Sequence, residues 1–157
     1  GVTLKLQSIN WDAKEQELST KNIDCIWNGF TKNADREKKL TLSNTYMLNN
    51  QVAVVLTGSD VKSLSDLAGK VVVIQTGSTA SDAIDENVEF KDSLKELISV
   101  KDNVLALEDL SIGGSNAVVL DEVVARYNLE KHVGKYRILD ETLMQEEYVI
   151  GFMMSVT

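Results

Sequence analysis

Lys70-Val-Val-Val-Ile-Gln-Thr-Gly-Ser-Thr-Ala80 is an apolar run that ends in a Gly-Ser-Thr turn and enters a helical segment. A short, unbroken apolar run of this kind reads as a strand buried on both faces. Outward on its carboxyl side the pattern repeats. A strand at Glu96–Val100 precedes a helix capped by Asp102 and running through Leu110, with Gly113-Gly114 as its stop. Strand Ala117–Leu120, a helix through Val123–Tyr127, a strand near Arg137–Leu139 and a last strand Tyr148–Phe152 follow. On the amino side, Gln51–Leu56 is an apolar strand ending at Thr57-Gly58-Ser59-Asp60, and Ser63–Leu67 reads as one capped turn. Val2–Gln7 alternates apolar and polar residues, Asp12-Ala-Lys-Glu15 opens a helix, and Ile23–Trp27 is a second short strand. That order predicts a βαβ unit with a parallel sheet. Residues 31–45 read as a loop with a helical turn around Arg36–Lys39. The class is α/β.

Composition narrows the function. The chain has 157 residues, about one domain by length, and 43% hydrophobic with 25% charged residues is a globular balance. A net charge of −8 lacks the basic footprint that nucleic acid requires, and it disfavours docking on anionic lipid. No apolar run approaches the roughly 20 residues of a membrane span. The single cysteine, Cys25, allows neither an intrachain disulfide nor a cysteine zinc site. His132 is the one histidine, so a Ser-His-Asp triad has a single candidate base. No proline occurs where average usage predicts about eight. Gly1–Gln7 reads as a strand and not as a secretory leader, so a secreted protein met in this form is a mature or excised piece.

Three places carry binding chemistry. Gln75-Thr-Gly-Ser-Thr79 joins a strand to a helix start, where free N–H groups and the hydroxyls of Ser78 and Thr79 suit an anion. Its alternative is a plain helix cap, with Thr79 and Asp82 forming a capping box. In Asn28-Gly-Phe-Thr-Lys-Asn-Ala-Asp-Arg36, an Arg beyond a strand end can grip a carboxylate with its planar fork, Thr31 donating beside it. The plainer alternative is a solvated surface Arg. Asp121 follows the apolar strand Ala117–Leu120, at the strand end where open α/β sheets bind ligands, or else it caps the next helix. Trp11, Trp27, Phe30 and Tyr46 read as core or cleft wall, Cys25 as a small buried hydrophobe, and His132 as a surface residue. Together the three places offer a cation, hydroxyls and an acid, the complement of an α-carboxylate and an α-ammonium.

The motifs Ile9-Asn-Trp-Asp12, Asn22-Ile-Asp-Cys-Ile-Trp-Asn-Gly-Phe-Thr31, Asp35-Arg36, Tyr46, Asp66-Leu-Ala-Gly-Lys70, Gln75-Thr-Gly-Ser-Thr79 and Asp121-Glu-Val-Val-Ala125 come in a telling order. From about residue 4 to residue 152 the chain resembles the amino-acid-binding proteins of ABC importers, of the polar and cystine type known from Gram-positive bacteria. The resemblance implies a two-lobed type II periplasmic-binding-protein fold that closes on a free amino acid, needs no cofactor or metal, and delivers to ABC permease subunits. It implies an extracellular, lipoprotein-anchored or periplasmic receptor for a polar or neutral amino acid such as cystine or glutamine, with no catalysis. By resemblance Arg36 and Thr31 hold the carboxylate, Gly77, Ser78 and Thr79 complete that site, Asp121 holds the ammonium, and Gly29 is a backbone contact.

The chain also departs from the family pattern. Members begin with a further strand and helix, usually carry Pro where this chain has Ala34, and continue into C-terminal helices. The resemblance therefore implies an internal fragment. Residues 1–50 form part of a first lobe, 51–56 a hinge strand, 57–145 the second lobe, and 146–157 a return strand with a shortened tail. An incomplete first lobe invites a homodimer. The enzyme-class alternative is a cyclohexadienyl-dehydratase-like protein on the same fold, for which Asp121 and Glu122 are the adjacent acids. A third reading is a non-binding remnant that self-associates.

Overall fold

The computed structural model describes residues 1–154. A 3-10 turn at Trp11–Ala13 leads into α1 (Lys14–Ser19), followed by α2 (Ala34–Lys39), β1 (Leu40–Leu42) and the long β2 (Met47–Leu56). A 3-10 turn at Leu64–Leu67 precedes β3 (Val71–Gln75), α3 (Ala80–Glu86) and α4 (Val88–Ser93). β4 (Glu96–Val100), α5 (Asn103–Ser111), β5 (Ala117–Asp121) and α6 (Glu122–Lys131) come next. β6 (Tyr136–Tyr148) and β7 (Gly151–Met153) complete the described chain.

Five strands form one sheet in the order β4-β3-β5-β2-β6. β3 runs parallel to β4 and β5, whereas β2 is antiparallel to β5 and β6. Side chains alternate across this sheet with period two, and both faces are apolar because helices cover both. Val72, Ile74, Ala117 and Val119 face one core with Val61, Leu67 and Ile84. Val73, Val118, Leu120 and Val54 face the other with Ala106, Leu107, Leu110 and Ala125. Each such fully buried Val or Leu contributes about 1.5–3 kcal/mol of apolar transfer, so the sheet is the stable half of the molecule.

A separate, smaller core gathers Leu18, Ile26, Phe30, Leu40 and Val149, with Trp11 packed against it. The two-stranded β1-β7 ribbon and the paired backbones of Ile26 and Gly151 hold it together. The fold is thus two-lobed, with β2 and β6 crossing from the large core toward the small one. Their register shifts between Gln51 and Val52 and again between Val52 and Val54. Such bulges bend a strand pair where it leaves one sheet for another environment.

Several expectations are corrected. Val2–Gln7 is not a strand: Val2, Leu4 and Leu6 lie in solvent, and a strand needs a neighbour for its backbone groups. Ile23–Trp27 contributes one isolated bridge at Ile26, so the first thirty residues hold no parallel βαβ unit. Cys25 is half-buried and outside any strand. The strand near Arg137–Leu139 is the thirteen-residue β6, and the segment Tyr148–Phe152 is split between the ends of β6 and β7. Charged Asp140, Glu141 and Glu147, which face water, and Glu146, which is buried, masked that continuity. The capped turn after Ser63 is present, closed by the Asp66 carboxylate. His132 is exposed, as read. The shortened tail lies partly in residues 155–157, outside the described residues.

Candidate functional site

Asn33 fixes the start of α2 by accepting the Arg36 N–H on its Oδ1 at 2.9 Å. Arg36 is thereby turned inward, not out to water, and is only 6% exposed. Its Nη1 donates to the Thr31 carbonyl at 2.6 Å, and its guanidinium lies 4.2 Å from the Phe30 ring centre. Burial pulls the Arg36 pKa down, and the carboxylates of Asp82, Glu15, Glu146 and Asp121 oppose that pull. A buried cation with unused donors is prepared for an anion. The surface-Arg alternative is excluded.

Opposite it, β3 ends in the turn to α3, which Gly77 makes possible by adopting φ +73°. A Cβ at Gly77 would also lie 2.9 Å from Asp12 Oδ1. Thr79 makes no capping bond, contrary to the capping-box alternative. Its hydroxyl lies instead 3.5 Å from the Thr31 hydroxyl and 3.4 Å from Gln51 Nε2. Ser78 Oγ donates to the Gln75 carbonyl at 2.8 Å.

Asp121 ends β5, and its side chain does not cap α6. Its Oδ2 accepts the Tyr148 hydroxyl at 2.5 Å, and its Oδ1 accepts from Gln51 Nε2. Burial pushes its pKa up to about 6, the Glu146 carboxylate adds to the rise, and the Tyr148 and Gln51 bonds oppose it. The same arrangement pushes the Tyr148 hydroxyl pKa up, by burial first and the Asp121 charge second. Gly29, at φ +56°, brings its backbone so close that a Cβ would lie 3.3 Å from Asp121 Oδ2.

A buried polar network lies behind these groups. Glu146 Oε2 accepts from Thr31 Oγ1 at 2.9 Å, Asn49 Nδ2 at 3.0 Å and Gln51 Nε2 at 3.1 Å. Gln51 is fully buried and Glu146 is 4% exposed. One amide therefore joins the Asp121 carboxylate to the Glu146 carboxylate, from strands that connect the lobes. Lys14 adds a tie across the cleft, its Nζ donating to the Gly77 carbonyl at 2.9 Å. Burial and the Arg36 charge hold its pKa down at about 8. Asn33 Nδ2 and Asp82 Oδ2, 3.3 Å apart, make a second tie.

Between the lobes lies a cavity of about 190 Å³, lined by Trp11, Gly29, Arg36, Ser78, Thr79 and Asp121 among others. Five of the seven residues singled out from sequence thus share one cavity. Thr31 stands behind it, bonded to Glu146 and lining a neighbouring cavity of about 430 Å³. Gly77 is exposed at the rim, where its carbonyl receives Lys14. Trp11 is a cleft wall as read, whereas Trp27 and Tyr46 are largely exposed, stacked edge-on at 6.5 Å. Sequence reasoning missed Gln51, Glu146, Tyr148 and Lys14. The polar run Asn49-Asn-Gln51 at the head of an apolar strand was the available signal for the first. Among the described residues, no group of three or more His, Cys, Asp or Glu is placed to hold a metal ion.

The family model described as bacterial extracellular solute-binding proteins, family 3, matches residues 1–139. The arginine-binding extracellular protein ArtP of Bacillus subtilis is 25% identical over 80% of this chain and 48% of its own length. The glutamine-binding protein of Geobacillus stearothermophilus is 26% identical over 94% of this chain and 55% of its own. The chain thus spans about half the length of the curated relatives it matches. Among solved structures, an ABC uptake transporter substrate-binding protein from Streptococcus pneumoniae with bound histidine superposes with a TM-score of 0.90. It is 32% identical, covering 97% of this chain and 64% of that one.

Proposed function

The chain belongs to family 3 of the bacterial extracellular solute-binding proteins, and from that premise we propose that it captures a polar or neutral free amino acid for an ABC importer. The observation that carries this reading is the pairing of buried Arg36 and half-buried Asp121 on opposite walls of one cleft. The Arg36 fork receives the α-carboxylate, aided by the Thr79 hydroxyl and the Gly77-Ser78 turn. Asp121, held by Tyr148 and Gln51, receives the α-ammonium. Thr31 supports Arg36 through its carbonyl and carries the pull of Glu146 on its hydroxyl. Binding occurs without chemical turnover. Glu122, the second acid a dehydratase would use, is engaged by Asn50 and Arg126 instead.

In this reading residues 1–50 and 57–145 are the two lobes, joined through 51–56 and the return from 146. The whole receptor works outside the cell, membrane-anchored as a lipoprotein, and docks on permease subunits. Calorimetric titration with each of the twenty amino acids, beside mass spectrometry of any co-purified ligand, tests the reading. Saturable binding of an amino acid supports it, and a folded chain that binds none of them refutes it.

A further inference from the structure

Glu146 lies near the end of β6, directly across from Asn49 of β2, and is buried. Among the described residues it forms no ion pair. A carboxylate buried without a contacting cation is costly unless hydrogen bonds compensate it. Here the compensation converges on one oxygen. Oε2 accepts from Thr31 Oγ1, Asn49 Nδ2 and Gln51 Nε2, whereas Oε1 is buried with no partner. Half of the group is idle, and the other half is a fixed point shared by the Thr31 segment and β2.

Two of those three donors lead to the two ends of the clamp. The Thr31 carbonyl accepts from Arg36 Nη1 at 2.6 Å, so anchoring the Thr31 hydroxyl places the residue that holds the guanidinium. The Gln51 amide nitrogen carries two hydrogens. One goes to Glu146 Oε2 and the other to Asp121 Oδ1. Arg36, Thr31, Glu146, Gln51 and Asp121 thus form one chain of hydrogen bonds with a single oxygen at its centre. Its members come from the segment ahead of α2, from both crossing strands and from the end of β5. Three donors require only an oxygen in the right place. An amide oxygen there would serve them, whereas a carboxylate drawn back by one methylene would leave them beyond hydrogen-bond reach.

We propose that Glu146 is a positioning residue of the receptor: its Oε2 fixes the separation of Arg36 and Asp121, and so sets the spacing of carboxylate and ammonium that the cleft accepts. The inference rests on the receptor reading and concerns the same cleft. Glu146 acts here through the place of its oxygen and not through its charge. Supporting hydrogen bonds of this kind decide whether a binding constellation is held closely enough to discriminate.

The test is calorimetric titration with L-glutamine and L-β-homoglutamine, or the corresponding pair for whichever of the twenty amino acids binds the parent best. The β-homologue keeps the side chain and spreads the two charged ends by one methylene. The parent should favour the α-amino acid by at least about tenfold, the lower end of what one methylene is worth. Glu146→Gln keeps an oxygen in place and should hold that ratio within about threefold of the parent's. Glu146→Asp keeps the charge but withdraws the oxygen, and should bring the ratio below about threefold. The ratio does not depend on how much of a chain is folded, because unfolded molecules bind neither ligand. Gln51→Asn withdraws the bridging amide from the opposite strand, should lower the ratio likewise, and decides the matter where the Glu146→Asp chain does not fold. A ratio kept in either shortened chain, or lost in Glu146→Gln, would overturn the proposal. A parent that binds both homologues equally would overturn it and leave the receptor reading standing. A folded parent that binds no amino acid would overturn the receptor reading and this inference with it.

Discussion

Asp121 answers to two opposing demands. As the ammonium's partner it must be charged, yet burial and the nearby Glu146 carboxylate raise its pKa to about 6. The proton is therefore held to higher pH in the folded chain than in the unfolded one, where a carboxylate titrates near about 3.9. Its stabilising contribution is full below about pH 4 and is lost as pH rises through about 6, so this group favours the empty chain in acid. Ligand binding has the reverse dependence. The ammonium needs the ionised form, so affinity at pH 5 should fall about tenfold from its value at pH 7. Calorimetry at the two pH values checks this, and an unchanged affinity would remove Asp121 from the ammonium site. Asp121 was legible in the sequence because it ends an apolar strand, and Arg36 because a lone Arg with a planar fork closes the polar stretch after Asn28-Gly29. Gln51 and Glu146 were not, because their bond joins positions 95 residues apart and no local pattern announces such a pairing.

β2 and β6 are at once part of the large sheet and the connection between lobes. Val52–Val55 are buried in the sheet, whereas Asn49 and Gln51 carry the polar network. Glu146→Leu removes the acceptor of Thr31, Asn49 and Gln51 and should cost on the order of 3 kcal/mol, because buried donors would be left unpaired. Urea unfolding measures it, and a loss under about 0.5 kcal/mol would make the network incidental. Protection should follow the cores. Amide exchange at Val71–Ile74 and Ala117–Leu120 should be far slower than at Leu4–Gln7, and equal rates would contradict the ranking. The strands of the second lobe were readable because apolar runs buried on both faces need no particular neighbour to be recognised. Those of the first lobe were not. Alternation at Val2–Gln7 resembles a strand, but only a partner makes one, and none lies beside it among the described residues.

Across the whole molecule, two unequal cores face each other over a charged cleft. The ties from Lys14 to Gly77 and from Asn33 to Asp82 span it, so the arrangement is a closed one. Outside the cleft, Val2, Leu4, Leu6 and Trp27 expose apolar surface at the small lobe. Such surface favours a second copy, and we expect a dimer near about 100 μM by sedimentation, a concentration at which exposed apolar segments associate. A strictly monomeric species there would dismiss the homodimer. The central claim is that the buried Arg36 cation and the half-buried Asp121 acid grip the two ends of an amino acid. Its most direct test is titration of the parent, Arg36→Ala and Arg36→Lys chains with the amino acid that binds the parent best. The account predicts at least about tenfold weaker binding for Arg36→Ala, since a desolvated charge partner is worth about 2–5 kcal/mol. It predicts no rescue by Arg36→Lys, which lacks the planar fork. An Arg36→Ala chain that binds as tightly as the parent would contradict it.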